Sequence, residues 1–148
     1  MKKRILIVED DITLEPFWIS AVHKADPKAE ITWVCSERDA EREIKSSVKR
    51  HQPYDLIITD LFLAGPRTGI DLWEVAGEDL RNRMVLTSGI HPEKFRRYFG
   101  DHSIAPPFLQ KPYSLTETVE TLRWMLDEDD NTEVRPPPTT ATSAPAAL

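Results

Sequence analysis

Apolar residues fall in short unbroken runs: Ile5-Leu6-Ile7-Val8, Ile31 to Val34, Leu56-Ile57-Ile58, Met84-Val85-Leu86 and Phe108-Leu109. Runs this short and continuous predict strands of a parallel sheet buried on both faces. Between them the apolar spacing becomes helical. Leu14, Phe17, Trp18, Ala21, Val22 and Ala25 define a first helix, with Pro16 acceptable in its opening turn. Ser36 caps a second, charged helix whose apolar stripe reads Ala40, Ile44, Val48. The turn formers Ala64 to Gly69 lead into a helix over Ile70–Leu80, and Pro92 opens a short one ending near Tyr98-Phe99-Gly100. Ser114-Leu115-Thr116-Glu117 is a capping box for the last helix, with Leu115, Val119, Leu122 and Leu126 as its core stripe. Strand and helix thus alternate throughout, which predicts right-handed βαβ units and an α/β sheet covered by helices on both faces.

Periodicity ends at Leu126. Residues 127–148 are an acidic run followed by Pro, Thr, Ala and Ser, a composition expected to be disordered, so the division is a folded domain over 1–126 and a tail over 127–148. Of the net charge of −6, the tail supplies −4, from five acids and one Arg. The folded part has no basic footprint for direct nucleic-acid or anionic-membrane binding. A single cysteine, Cys35, is expected to be a small packed residue at a strand end. The run after Met1-Lys2-Lys3-Arg4 is too short for a signal peptide, and a cytoplasmic setting is expected. His23, His51, His91 and His102 lack metal-ligand spacing and are read as surface or turn residues.

Four of the strand-like runs end in polar groups: Glu9-Asp10-Asp11, Asp60, Thr87, and Lys111. Ligands of open α/β sheets bind beyond the carboxyl ends of strands, so these groups are expected to converge in one crevice. Clustered carboxylates repel one another and call for a cation. Mg²⁺ fits, because it takes hard oxygen ligands and shares its shell with phosphate oxygens. The alternative for Glu9, Asp10 and Asp11 is helix capping, since acids favour a helix N-terminus.

The ordered set ILIVEDD, LIITD, MVLTSG and LQKP resembles the receiver domain of two-component response regulators, the single-domain chemotaxis-regulator type included, over about residues 3–126. The resemblance implies a flavodoxin-like, doubly wound five-stranded sheet of order 2-1-3-4-5. It implies phosphorylation of Asp60 by a phosphohistidine, with Lys111 neutralising phosphoryl charge. Asp10, Glu9, Asp60 and the backbone carbonyl of Phe62 would hold Mg²⁺. Thr87 would be the switch hydroxyl and Phe108 the aromatic that follows it. The implied partners are a histidine kinase or histidine phosphotransfer protein and a downstream protein target, and a phosphorylation-dependent dimer is allowed.

The chain also departs from the family pattern. The interval from Asp60 to Gly69 is one residue longer than is common, and the last helix lacks the charge pattern with which DNA-binding relatives dimerise. Phe62 and Gly89 occupy the positions that tune dephosphorylation, and neither side chain can orient a water. A phosphorelay shuttle, or a receiver detached from an output domain, is an alternative reading. A Mg²⁺-dependent aspartyl phosphatase is disfavoured, because its general acid would stand where Phe62 does. Trp124, opposite the last helix's stripe at about 100° per residue, is expected to face solvent or the tail.

Overall fold

The computed structural model describes residues 2–63, 65, 67–98 and 106–127. Five strands, β1 (Arg4–Val8), β2 (Glu30–Val34), β3 (Leu56–Asp60), β4 (Met84–Ser88) and β5 (Phe108–Gln110), form one sheet. All its pairings are parallel, and the order is β2-β1-β3-β4-β5. This is the doubly wound, flavodoxin-like topology. Alternate side chains enter opposite cores. Ile5, Ile7, Leu56, Ile58, Val85 and Leu109 pack beneath α1 (Glu15–Ala25) and α6 (Leu115–Asp127). Leu6, Val8, Ile57, Met84, Leu86 and Phe108 face the other layer, with residues of α2 (Glu37–Lys49), α3 (Gly69–Val75) and α5 (Pro92–Tyr98). Each fully buried aliphatic side chain contributes about 1.5–3 kcal/mol, so both layers anchor the crevice between them.

The expected helix over Ile70–Leu80 is two helices, α3 and α4 (Glu78–Arg81). Ala76 is extended at ψ 138 and Gly77 caps α4, so the chain breaks where glycine is least costly outside a helix. Arg81 closes the break by donating from Nε to the Trp73 carbonyl at 2.9 Å and from Nη2 to the Glu74 carbonyl at 3.0 Å. Thr68 and Asp71 form a capping box that starts α3 at Gly69.

Several expected core positions move outward. Val48 is exposed, and Ser47 is buried in its place, its hydroxyl donating to the Ile44 carbonyl. A strict four-residue stripe advances by about 40° at each step and leaves the buried face. Leu115, first in its helix, is also exposed. Trp124 is not solvent-facing: it is partly buried against the core shared by α1 and α6. Because α6 packs on both the sheet and α1, its buried arc is wide enough to include it. Cys35 is exposed, since it lies just past edge strand β2. The ends expected at Phe99-Gly100, and the tail from residue 128, lie outside the described residues. No helix among those residues is long and apolar enough to cross a membrane.

Candidate functional site

The sheet register builds the site. Thr87 is the β4 neighbour of Asp60, and the Leu61 amide donates to the Thr87 carbonyl at 2.7 Å. Glu9 extends β1, its amide donating to the Val34 carbonyl at 3.0 Å, and the Lys111 amide donates to the Ser88 carbonyl at 2.8 Å. Strand ends thereby bring residues far apart in sequence to one crevice.

Lys111 Nζ donates to Asp60 Oδ2 at 2.7 Å and to Glu9 Oε1 at 3.0 Å. The Phe62 amide donates to Asp60 Oδ1 at 3.1 Å. Glu9 is 2% exposed, Asp60 6% and Thr87 1%, while Asp10 is open to solvent. Oxygen atoms of Glu9, Asp10 and Asp60 lie within 4.8 Å of one another, close enough to share a cation. Glu9 Oε2 is buried and, among the described residues, accepts no hydrogen bond. That bare oxygen beside two more carboxylates fits a divalent metal.

Burial, together with the hydrogen bond and charge of Asp60, pushes the Glu9 carboxyl up to about 7, against the pull of Lys111. For Lys111 burial opposes the charge, but hydrogen bonds to Asp60 and Glu9 outweigh it and hold the ammonium well above the ordinary lysine value. Lys111 therefore stands in for part of the charge a cation would supply. Asp11 does not join the group. It caps the short 3-10 turn Ile12–Leu14, accepting from the Thr13 amide at 3.0 Å, and Thr13 holds its carboxyl below the usual range. The capping alternative is thus true of Asp11.

Phe62 contributes its amide, while its ring is 43% exposed and turned edge-on to Tyr98, with centroids 5.9 Å apart. Gly89 faces open space. Phe108 lies on the far side of β5 from Leu109, already buried and stacked on Phe95 with centroids 4.1 Å apart. Gly69 has no room for a side chain: a Cβ would come 2.0 Å from the Asp60 carbonyl oxygen. His23, His51 and His91 are exposed, and His102 lies outside the described residues.

Three further side chains flank the site. Glu37, 1% exposed at the start of α2, accepts from Arg67 Nε at 2.8 Å, and Arg67 Nη2 lies 3.5 Å from Glu41. Arg67 thus clips the segment after Asp60 to the second helix. Tyr113 stands two residues beyond Lys111, whose Nζ is 6.0 Å from the Tyr113 ring centroid. An aromatic closing LQKPY is the sequence signal for Tyr113; nothing local marks Glu37 and Arg67 as partners.

No protein-family model matches the chain, and no curated protein matches its sequence. Solved structures do match. A response regulator receiver protein from Sinorhizobium medicae is 22% identical with a TM-score of 0.68, covering 84% of this chain and 94% of its own. A response regulator receiver domain protein from Methanospirillum hungatei is 19% identical with a TM-score of 0.68, covering 86% and 96%. The phosphorylated cyanobacterial phytochrome response regulator is 18% identical with a TM-score of 0.65, covering 84% and 91%. The fold of this chain is that of response regulator receiver domains.

Proposed function

We propose that the chain is a receiver that accepts a phosphoryl group on Asp60 from a partner's phosphohistidine and thereby switches a protein-interaction face. The observation that carries this reading is the Asp60 carboxylate at the end of β3, ion-paired to Lys111 and clustered with Glu9 and Asp10. An Asp60 oxygen attacks phosphorus, the phosphorus–nitrogen bond of the donor breaks, and the imidazole leaves with the electron pair and takes up a proton. Lys111 follows the charge onto the phosphoryl oxygens. The carboxylates of Glu9, Asp10 and Asp60 and the Phe62 carbonyl would hold Mg²⁺, which supplies further neutralisation of phosphoryl charge.

Thr87, buried beside Asp60, then turns its hydroxyl to a phosphoryl oxygen, and the loop after β4 follows. Phe108 repacks with Phe95 of α5, so a hydrogen bond at the site becomes a change of surface. The donor is a histidine kinase or histidine phosphotransfer protein, and the recipient is a protein bound at the altered face. Residues 1–126 carry this switch, which works without turnover as an enzyme.

Incubation with a small phosphodonor and Mg²⁺ is expected to add one phosphoryl group by intact mass. Chelation suppresses it and Asp60→Asn abolishes it. Labelling that persists in Asp60→Asn without moving to a neighbouring carboxylate sinks the reading.

A further inference from the structure

The Tyr113 ring is fixed on α1, stacked on Phe17 with centroids 5.1 Å apart and edge-on to Trp18 at 5.0 Å. Its hydroxyl oxygen is buried and, among the described residues, closes no hydrogen bond of good geometry. Phenylalanine would supply the same ring contacts without desolvating a hydroxyl, so packing alone does not explain the oxygen. Burial pushes the Tyr113 phenol up, while the neighbouring Thr87 hydroxyl pulls it down and Lys111 acts in the same sense. Thr87 lies two residues after Val85 on β4 and so shares the sheet face whose core Tyr113 packs against, which puts the two hydroxyls in one layer beside Lys111.

A threonine hydroxyl can donate once and still accept. We propose that Tyr113 is a positioning residue, its buried hydroxyl donating to Thr87 Oγ1 when Thr87 turns its own O–H to the phosphoryl group on Asp60. The phosphorylated state then satisfies an oxygen left bare in the unphosphorylated one, and successive hydrogen bonds strengthen each other. Through Phe17 and Trp18 the same ring ties the switch to α1. This inference rests on the reading of Asp60 as the acceptor.

Beryllofluoride with Mg²⁺, a stand-in for the phosphoryl group, serves as the probe. Tyr113→Phe is expected to leave the thermal midpoint of the unliganded protein unchanged or raised. It should weaken beryllofluoride binding about fivefold, the worth of one net hydrogen bond. In a Thr87→Ala background the same substitution should cost nothing further. Unchanged affinity, an equal loss in the Thr87→Ala background, or a lowered unliganded midpoint each overturns the relay, the last because the hydroxyl would already be bonded. Failure of the wild-type protein to bind beryllofluoride would instead overturn the acceptor reading, and the relay with it.

Discussion

Two buried glutamates, Glu9 and Glu37, look alike in every local respect. Each follows a strand closely, is almost fully enclosed, and pairs one oxygen with a cation, Lys111 or Arg67. Each has its other oxygen buried and, among the described residues, bare, and each carboxyl is raised by burial. What separates them is company. Glu9 meets Asp10 and Asp60, whereas Glu37 meets Arg67, with Glu41 behind it. A bare buried oxygen is therefore no sign of a metal by itself; it is the convergence of three carboxylates that makes the Glu9 site compatible with one. The Glu37 pair serves instead to tether the segment after Asp60.

The largest expected break in this parallel comes from removing the cations. Lys111→Met leaves Glu9 and Asp60 facing each other without a counter-ion and should cost about 2 kcal/mol in urea unfolding. That is less than the full penalty for orphaning a buried charge, because the ammonium is partly exposed. Added Mg²⁺ should return part of it. Arg67→Met should cost less, since its side chain is more exposed than that of Lys111, 43% against 26%, and Mg²⁺ should not compensate. Equal rescue of both variants by Mg²⁺ would erase the distinction.

Mg²⁺ and pH separate the glutamates next. At about ten times its Kd, Mg²⁺ should stabilise the native protein by about 1.4 kcal/mol. Asp10→Ala should remove that gain and Glu37→Gln leave it intact, as thermal midpoints would reveal. Without Mg²⁺, the folded Glu9 carboxyl keeps its proton to about pH 7, whereas an ordinary glutamate loses it near 4.5. The folded state binds more protons in that window, so Glu9's contribution to stability falls as pH rises through it. Glu37 has the same sign. Glu9→Gln should flatten the decline, and Mg²⁺ should oppose it by favouring charged Glu9. A Mg²⁺ effect that survives Glu9→Gln and Asp10→Ala undiminished would locate the cation elsewhere.

The contrast also shows what a sequence displays. Glu9, Asp10, Asp60, Thr87 and Lys111 were legible because each ends an apolar run, and parallel strands bring such ends together. The sheet order came from the family resemblance, and its register is set by strand pairing that no local pattern encodes. Glu37 shows in sequence only as an acid in the first turn of α2, since its partner lies thirty positions away in a loop without periodicity. Gly77 was a local signal that the long apolar spacing from Ile70 to Leu80 masked. Val48 and Trp124 depart from expectation for opposite reasons: a four-residue stripe drifts off the buried face at Val48, while the neighbours of α6 widen its buried face to take in Trp124.

The smallest expected effect concerns the loop that the Glu37 pair tethers. Hydrolysis of a phosphoryl group on Asp60 would need a water held behind phosphorus, and on the proposed reading Phe62 and Gly89, two residues after Asp60 and Thr87, would be the positions to orient it. The Phe62 ring leans on Tyr98 and cannot accept or donate a hydrogen bond, and a side chain at Gly89 would meet open space. A long-lived phosphorylated state is expected, removed chiefly by a partner phosphatase or by return to a histidine. Phe62→Asn and Gly89→Glu should each hasten decay of the purified phosphoprotein about fivefold, since a positioned polar group orients the water. Decay unchanged in both variants would end the water-positioning account. Because Arg67 holds the loop that carries Phe62, Arg67→Met should blunt the effect of Phe62→Asn and leave that of Gly89→Glu alone. If Phe62→Asn hastens decay equally with and without Arg67, the tether does not position the loop.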